Sequence, residues 1–342
     1  MPRAYWRPSR PNTKGNWADD LDHRRRRSSR VGVSSARPEA PRWSAGRIPW
    51  GQGIRRSSLG GWLFVLPALV MYGLFVLQPL FLTIQYSLYS WDGIGPSTWV
   101  GLENYIALTS EPRLIETLFN AFRLVLFFSV IPVSLGLVTA SVIARIATGR
   151  LGTVSRTVLF LPQIIPLVAA GIIWGRLLSF PGLVNQGLDA VGLGDLTRAW
   201  LGDFDTALGA VGIIGVWVLL GFCTVLLLTG IAKIDHALYE TARLDGAGWF
   251  AEFRAITVPS LRYEVGVCLT VTTIAALATF DIVYVTTGGG PGNATAVPGI
   301  QIYILAFLER QVGLASALAV VLMVLVLLVI LPIQRLTREG AR

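Results

Sequence analysis

Six long apolar stretches, at residues 61–87, 122–144, 157–178, 207–229, 265–285 and 314–333, constrain this chain more than any other feature. A helix of about 20 apolar residues crosses the hydrocarbon core of a bilayer, and each stretch reaches that length. In lipid a backbone N–H or C=O finds no water, so a spanning segment must satisfy its own hydrogen bonds, as a helix does. The expected fold class is an all-α membrane protein with six transmembrane helices. Composition agrees: 14% of the 342 residues are charged and 53% are hydrophobic, whereas soluble domains carry about 25% charged residues. Pro67 and Pro79 fall in the first stretch and predict a tilt or kink there.

The net charge of +9 is concentrated at one end: residues 1–58 carry fourteen Lys and Arg against four Asp and Glu. This segment is rich in Arg, Pro, Ser and Gly, includes the run Arg24, Arg25, Arg26, Arg27, and shows no apolar periodicity. It is expected to be a disordered tail. Nucleic-acid binding or twin-arginine export would use such a run. Yet about thirty mostly polar residues separate Arg27 from the first apolar stretch, and a signal peptide has its apolar region close behind its charges. The expectation is a solvated tail that touches anionic lipid at most, with no nucleic-acid partner.

The basic residues also orient the spans. With the N-terminus inside, the inner segments hold 24 Lys and Arg and the outer ones 5; without the tail the balance is 10 against 5. By the positive-inside rule both termini are cytoplasmic. The domains expected are the tail at 1–58 and a six-span domain at 59–342.

Several chemistries lack material. Cys223 and Cys268 both sit in apolar runs, which argues against a disulfide-stapled secreted fold. His23 and His236 are far apart and outside any HExxH pattern, so no metal site is expected. The two lysines, Lys14 and Lys233, do not follow a glycine, so the chain carries no phosphate-cradling loop of the P-loop kind. If ATP is used, another polypeptide hydrolyses it.

The loop between the fourth and fifth stretches, residues 230–262, is longer than a connector requires. Asp235 is placed to cap a helix through Leu238, Tyr239, Ala242 and Arg243. Gly246 lets the chain turn. A second short amphipathic helix is expected next, with Trp249, Phe250 and Phe253 on one side and Pro259 ending it. Such a pair would project from the inner surface, or lie along it as a membrane-surface helix.

This loop resembles the coupling signature of ABC importer permeases, E-A-A-x3-G-x9-I-x-L-P. The chain supplies Glu240, Thr241, Ala242, then Gly246, then Ile256, Thr257, Val258 and Pro259, with the spacing intact. Thr241 and Val258 replace Ala and Leu. A second match is the run Thr287 to Thr295, with Gly288, Gly289, Gly290 and Pro291, which resembles a loop of carbohydrate permeases of the maltose and glycerol-3-phosphate types. Residues 100–105 and 156–162 add to the likeness.

The resemblance implies a permease subunit of an ATP-driven carbohydrate importer in a bacterial cell membrane. It also implies two ATPase subunits, a second permease (commonly a different chain, giving a heterodimer) and an external sugar-binding protein. The chain itself would bind no cofactor, its partner using ATP. Glu240, Thr241, Ala242, Asp245, Gly246, Ile256 and Pro259 would form the ATPase-coupling segment, with Glu240 meeting a basic group. The alternative for Glu240 is a solvated carboxylate paired with Arg243 at i, i+3.

Polar residues inside the spans are candidates for the translocation path, because charge at membrane depth is costly. They are Gln163, Asn120, Thr272, Thr279 and Asp281. Thr272 and Thr279, seven apart, would share a helical face. Asp281 could instead reach headgroup water. Pro162 and Pro166 predict a bend or break in the third span, as a tolerated kink or a gate. Gly171 and Gly175 form a GxxxG pair that could mark a helix contact. An ion-coupled secondary transporter is the leading rival, and would require intramembrane charge pairs or inverted repeats. A membrane enzyme lacks a catalytic cluster, and a scaffold leaves the 230–262 loop unexplained.

Overall fold

The computed structural model describes residues 58–146 and 149–338; the expected basic tail, save for Ser58, lies outside the described residues. Helix α1 (Ser58–Tyr72), a π turn (Gly73–Leu77) and α2 (Gln78–Tyr86) make the first span. A two-stranded antiparallel pair, β1 (Tyr89–Ser90) and β2 (Thr98–Trp99), and helix α3 (Glu103–Ser110) lead to the second. That span runs from α4 (Pro112–Val125) through a π turn (Leu126–Val130) into α5 (Ile131–Ile146). The third is bent between α6 (Gly149–Ile164) and α7 (Leu167–Leu177). After α8 (Leu183–Ala190), α9 (Ala207–Ile231) is the fourth span. The following loop holds α10 (His236–Leu244), α11 (Trp249–Glu252), a π turn (Phe253–Thr257) and α12 (Val258–Ser260). Then come α13 (Arg262–Leu277), α14 (Asp281–Thr286), α15 (Pro298–Tyr303) with a π turn (Ile304–Leu308), and α16 (Val312–Arg338). Among the described residues, four helices are long and apolar enough to cross a membrane alone, and up to six spans result if each bent pair counts as one.

Prolines explain three of the four π turns among the described residues. These three stand directly before Gln78-Pro79, Ile131-Pro132 and Val258-Pro259. A proline ring crowds the carbonyl four residues back and donates no hydrogen bond. Widening the preceding turn by one residue relieves the clash: the N–H groups of Gln78, Ile131 and Val258 reach back to Gly73, Leu126 and Phe253. Pro259 therefore does not end its helix as expected. The break falls at Leu261, where the chain bends by 71°.

Proline also breaks the third span. Pro166 carries ψ 137° and caps α7, which forces the preceding residue out of helical conformation; the two halves meet at 98°. Pro162 stays inside α6.

The third span begins before 157 and the sixth extends beyond 314–333, and the second and fifth depart furthest from expectation. The second span begins at Pro112 rather than 122, because its first turns carry Arg113, Glu116, Asn120 and Arg123 and escape a hydropathy reading. The fifth is not continuous over 265–285. It stops at Leu277 and resumes at Asp281, with Phe280 at φ −139° and ψ −57°. The gap is covered by α15: a side chain at Gly299 would stand 2.9 Å from the Thr279 carbonyl oxygen. Irregular backbone at membrane depth is tolerated where protein buries it. The apolar helix Pro298–Leu308 is too short to span and left no signal in the sequence reading.

In lipid, helices associate by close packing rather than by hydrophobic burial, so small residues and hydroxyls mark the contacts. α9 packs on α5 and α6, α16 on α2 and α13, and α14 on α7. Gly136 of α5 lies against Cys223 and Thr224 of α9, and Gly215 of α9 lies under the Phe128 ring. Gly171 meets Val285 and Thr286 of α14, whereas Gly175 meets nothing, so the GxxxG pair does not act as a unit. Thr139 and Thr224 share a hydrogen bond of 2.9 Å across α5 and α9.

Candidate functional site

The loop between the fourth and fifth spans has the helix–turn–helix form read from the sequence. Asp235 caps α10, its carboxylate accepting from the Ala237 N–H at 3.0 Å. Leu244 ends the helix, and Gly246 turns the chain at φ +82°, a left-handed conformation that suits glycine. Its N–H donates to the Arg243 carbonyl and that of Ala247 to the Ala242 carbonyl, closing the orphan helix end. Trp249 and Phe253 stack at 5.5 Å between ring centres. Phe250 is 66% exposed and takes no part in that stack, so the packed aromatic face is narrower than expected.

The signature residues fall on both sides of this turn. Glu240 is exposed, and among the described residues it makes no salt bridge. The anticipated pair with Arg243 does not form, because Arg243 is engaged elsewhere. Thr241 donates to the Ala237 carbonyl at 2.8 Å, Ala242 is half-buried, and Asp245 is exposed at the helix end. Ile256 is half-buried and Pro259 exposed.

Beneath α10 lies a carboxylate that the sequence reading missed. Glu252 is 4% exposed and is held by two arginines. Arg243 Nε donates to Oε1 at 2.8 Å, and Arg145 Nη1, from the end of α5, donates to Oε2 at 3.2 Å. Donating to Glu252 pushes the Arg243 guanidinium further up from its ordinary range. The Tyr239 and Thr257 hydroxyls lie 3.0 Å apart and make a second tie. These groups line a cavity of about 500 Å³ with His236 and Trp249. No spacing rule would have found Glu252, since its partners lie 9 and 107 residues away.

The path candidates do not converge. Thr279 and Asp281 line a mostly apolar cavity of about 230 Å³ with Phe128, Gly215, Leu219 and Ala278. Thr272 faces elsewhere: it is fully buried, with its hydroxyl 2.7 Å from Ser129 Oγ. The shared face expected for Thr272 and Thr279 is lost because the helix stops at Leu277. Gln163 is exposed near the end of α6. Asn120 is buried, and its side-chain amide donates to the carbonyls of Asn293, Ala294 and Ala296.

Asn120 thereby holds the glycine-rich loop after the fifth span. Gly288 and Gly289 adopt φ +60° and +94°, and a cis bond joins Gly290 to Pro291. Thr295, fully buried, bonds the Thr287 hydroxyl and the Gly290 carbonyl, each at 2.7 Å. The loop is thus packed rather than a free turn. Separately, Arg113 grips Glu309 with both terminal nitrogens, at 3.0 and 3.2 Å.

Known proteins share this plan. Residues 132–337 match the family model described as the binding-protein-dependent transport system inner membrane component. The "Probable ABC transporter permease protein YurN" of Bacillus subtilis is 35% identical over 289 residues, covering 84% of this chain and 99% of that protein. The trehalose/maltose transport system permease protein MalF of Thermococcus litoralis is 34% identical, covering 82% and 95%. The fold is like that of a bacterial ABC transporter involved in alginate import, with TM-score 0.70 and 23% identity, covering 84% of this chain and 97% of that one. The family match and these near-full-length relatives make this chain a member of the binding-protein-dependent transport system inner membrane components, multi-pass permeases whose ATPase is a separate subunit.

Proposed function

We propose that this chain is one of two dissimilar permeases of a carbohydrate importer driven by a partner ATPase. Glu240 carries the reading. It stands on an exposed, capped helix, free of any salt bridge among the described residues, within a loop whose spacing repeats the coupling signature. A buried groove on an ATPase subunit with a basic group would satisfy it. Thr241, Ala242 and Asp245 would flank the contact, Gly246 would set the angle of α10, and Ile256 and Pro259 would join the loop to the fifth span. The basic excess supports a cytoplasmic location for this loop and both termini.

The carbohydrate class rests on relatives named for trehalose and maltose, diacetylchitobiose, and lactose. The 230 Å³ cavity at Thr279 and Asp281 is below the ~300 Å³ where ligand pockets begin. It supports a path whose other wall is a second permease. The packed Gly288, Gly289, Gly290 and Pro291 loop would face an external binding protein; a structure of similar fold is an alginate ABC transporter in complex with an alginate pentasaccharide-bound periplasmic protein. Uptake of labelled trehalose, maltose, lactose and chitobiose tests the class in cells with and without the chain. Loss of uptake of at least one sugar is expected, and unchanged uptake of all, with loss of a non-carbohydrate solute, would refute it.

A further inference from the structure

Glu252, at an unspecified position of the coupling signature, and Arg145, outside it, join its two halves to a membrane span. α10 hangs from a turn at Gly246 around which a side chain would meet nothing within 4 Å. A push on α10 could be absorbed there. Glu252 crosses that turn: one oxygen binds Arg243 on α10, the other binds Arg145 at the end of α5. The carboxylate is buried, while the Arg243 and Arg145 side chains are 53% and 44% exposed. Replacing a buried ion triad as a whole by well-packed apolar residues is often neutral or stabilising, so stability alone does not account for this one. What a doubly bound carboxylate adds is fixed orientation, because each guanidinium is a rigid donor plane. The tie between Tyr239 and Thr257 braces the same joint.

We propose that Glu252 is a positioning residue that locks α10 to α5 through Arg243 and Arg145, so that displacement of the docking helix is passed to the second span instead of being lost at Gly246. The proposal rests on α10 being the ATPase-docking helix. It names a route, through the second span, that is separate from the chain's direct continuation into the fifth.

The test uses the whole complex, purified with its ATPase subunit in lipid nanodiscs. Ile146, 65% exposed at the end of α5, is replaced as Ile146→Cys and its reaction with a maleimide is timed with and without ATP plus vanadate. Both native cysteines are fully buried, so background is low. In the Ile146→Cys permease the rate is expected to change several-fold with nucleotide. Adding Glu252→Gln is expected to abolish that change while the ATPase subunit stays bound and basal hydrolysis persists. Glu252→Asp, which keeps the charge, is expected to restore part of the response. An undiminished response in Glu252→Gln, or none in the Ile146→Cys parent, overturns the proposal. Loss of the ATPase from Glu252→Gln alone also overturns it, by making Glu252 part of the docking surface. Absence of the ATPase from the parent complex would instead remove the docking reading beneath it.

Discussion

Gly246 offers a graded test of the loop geometry. Its φ of +82° is left-handed, and a side chain there would meet no heavy atom within 4 Å. The cost of substitution is therefore conformational alone. An ordinary L-residue pays about 1–2 kcal/mol in this region, while asparagine tolerates it. A β-branched residue is costlier, and proline, held near −65°, cannot adopt it. Replacing glycine also restricts the unfolded chain, worth ~0.4–1 kcal/mol. That effect acts on stability and not on docking; the strain reaches docking because the substituted turn, with nothing within 4 Å to hold it, relaxes out of the left-handed region before docking and must re-enter it to bind. With ~1.4 kcal/mol per tenfold, Gly246→Ala should weaken binding of a purified ATPase subunit by about 5- to 30-fold. Gly246→Asn should bind nearly as the parent, and Gly246→Val and Gly246→Pro worst. Titration of labelled ATPase onto nanodisc-embedded permease measures the series. Parent-like affinity in Gly246→Val, or Asn binding as weakly as Val, would refute the reasoning.

Other outcomes follow from single contacts. Asn120→Ala takes the side-chain donor from the Ala294 and Ala296 carbonyls, while that of Asn293 keeps the Ala296 N–H; at ~1–3 kcal/mol per buried unsatisfied group, thermal unfolding in detergent should shift down measurably. Asp281→Ala and Thr279→Val alter the polar lining of the 230 Å³ cavity and should lower substrate uptake with assembly intact; wild-type uptake in both would remove them from the path. Gly221→Val drives a side chain into the Leu159 carbonyl on α6, an overpacking worth ~1–3 kcal/mol, and should reduce the yield of folded permease by size-exclusion.

The spans were legible because ~20 apolar residues leave few alternatives, and the coupling loop because Asp235 and Gly246 have local duties that their residue types announce. Tertiary features were less so. The continuous fifth span failed at Thr279 and Phe280, where contact with α15 outweighs helix continuity. The short helix 298–308 lies between the lengths that hydropathy recognises. Asn120 read as a polar candidate for the path and instead secures a loop some 173 residues away. Glu252 matched no motif in the sequence; only the fold brings Arg145 to it. The π turns at Pro79, Pro132 and Pro259 show the converse, a local rule visible in sequence whose outcome is a widened turn instead of a helix end.

The central claim is that α10 seats this permease on a separate ATPase through Glu240. The most direct measurement purifies the tagged chain from mild-detergent membranes and quantifies its partners by mass spectrometry, for the parent and for Glu240→Lys. The account predicts a P-loop ATPase and a second six-span permease with the parent, and loss of the ATPase alone from Glu240→Lys. Recovery of the ATPase undiminished with Glu240→Lys, or its absence from the parent under conditions that preserve other membrane complexes, would contradict it.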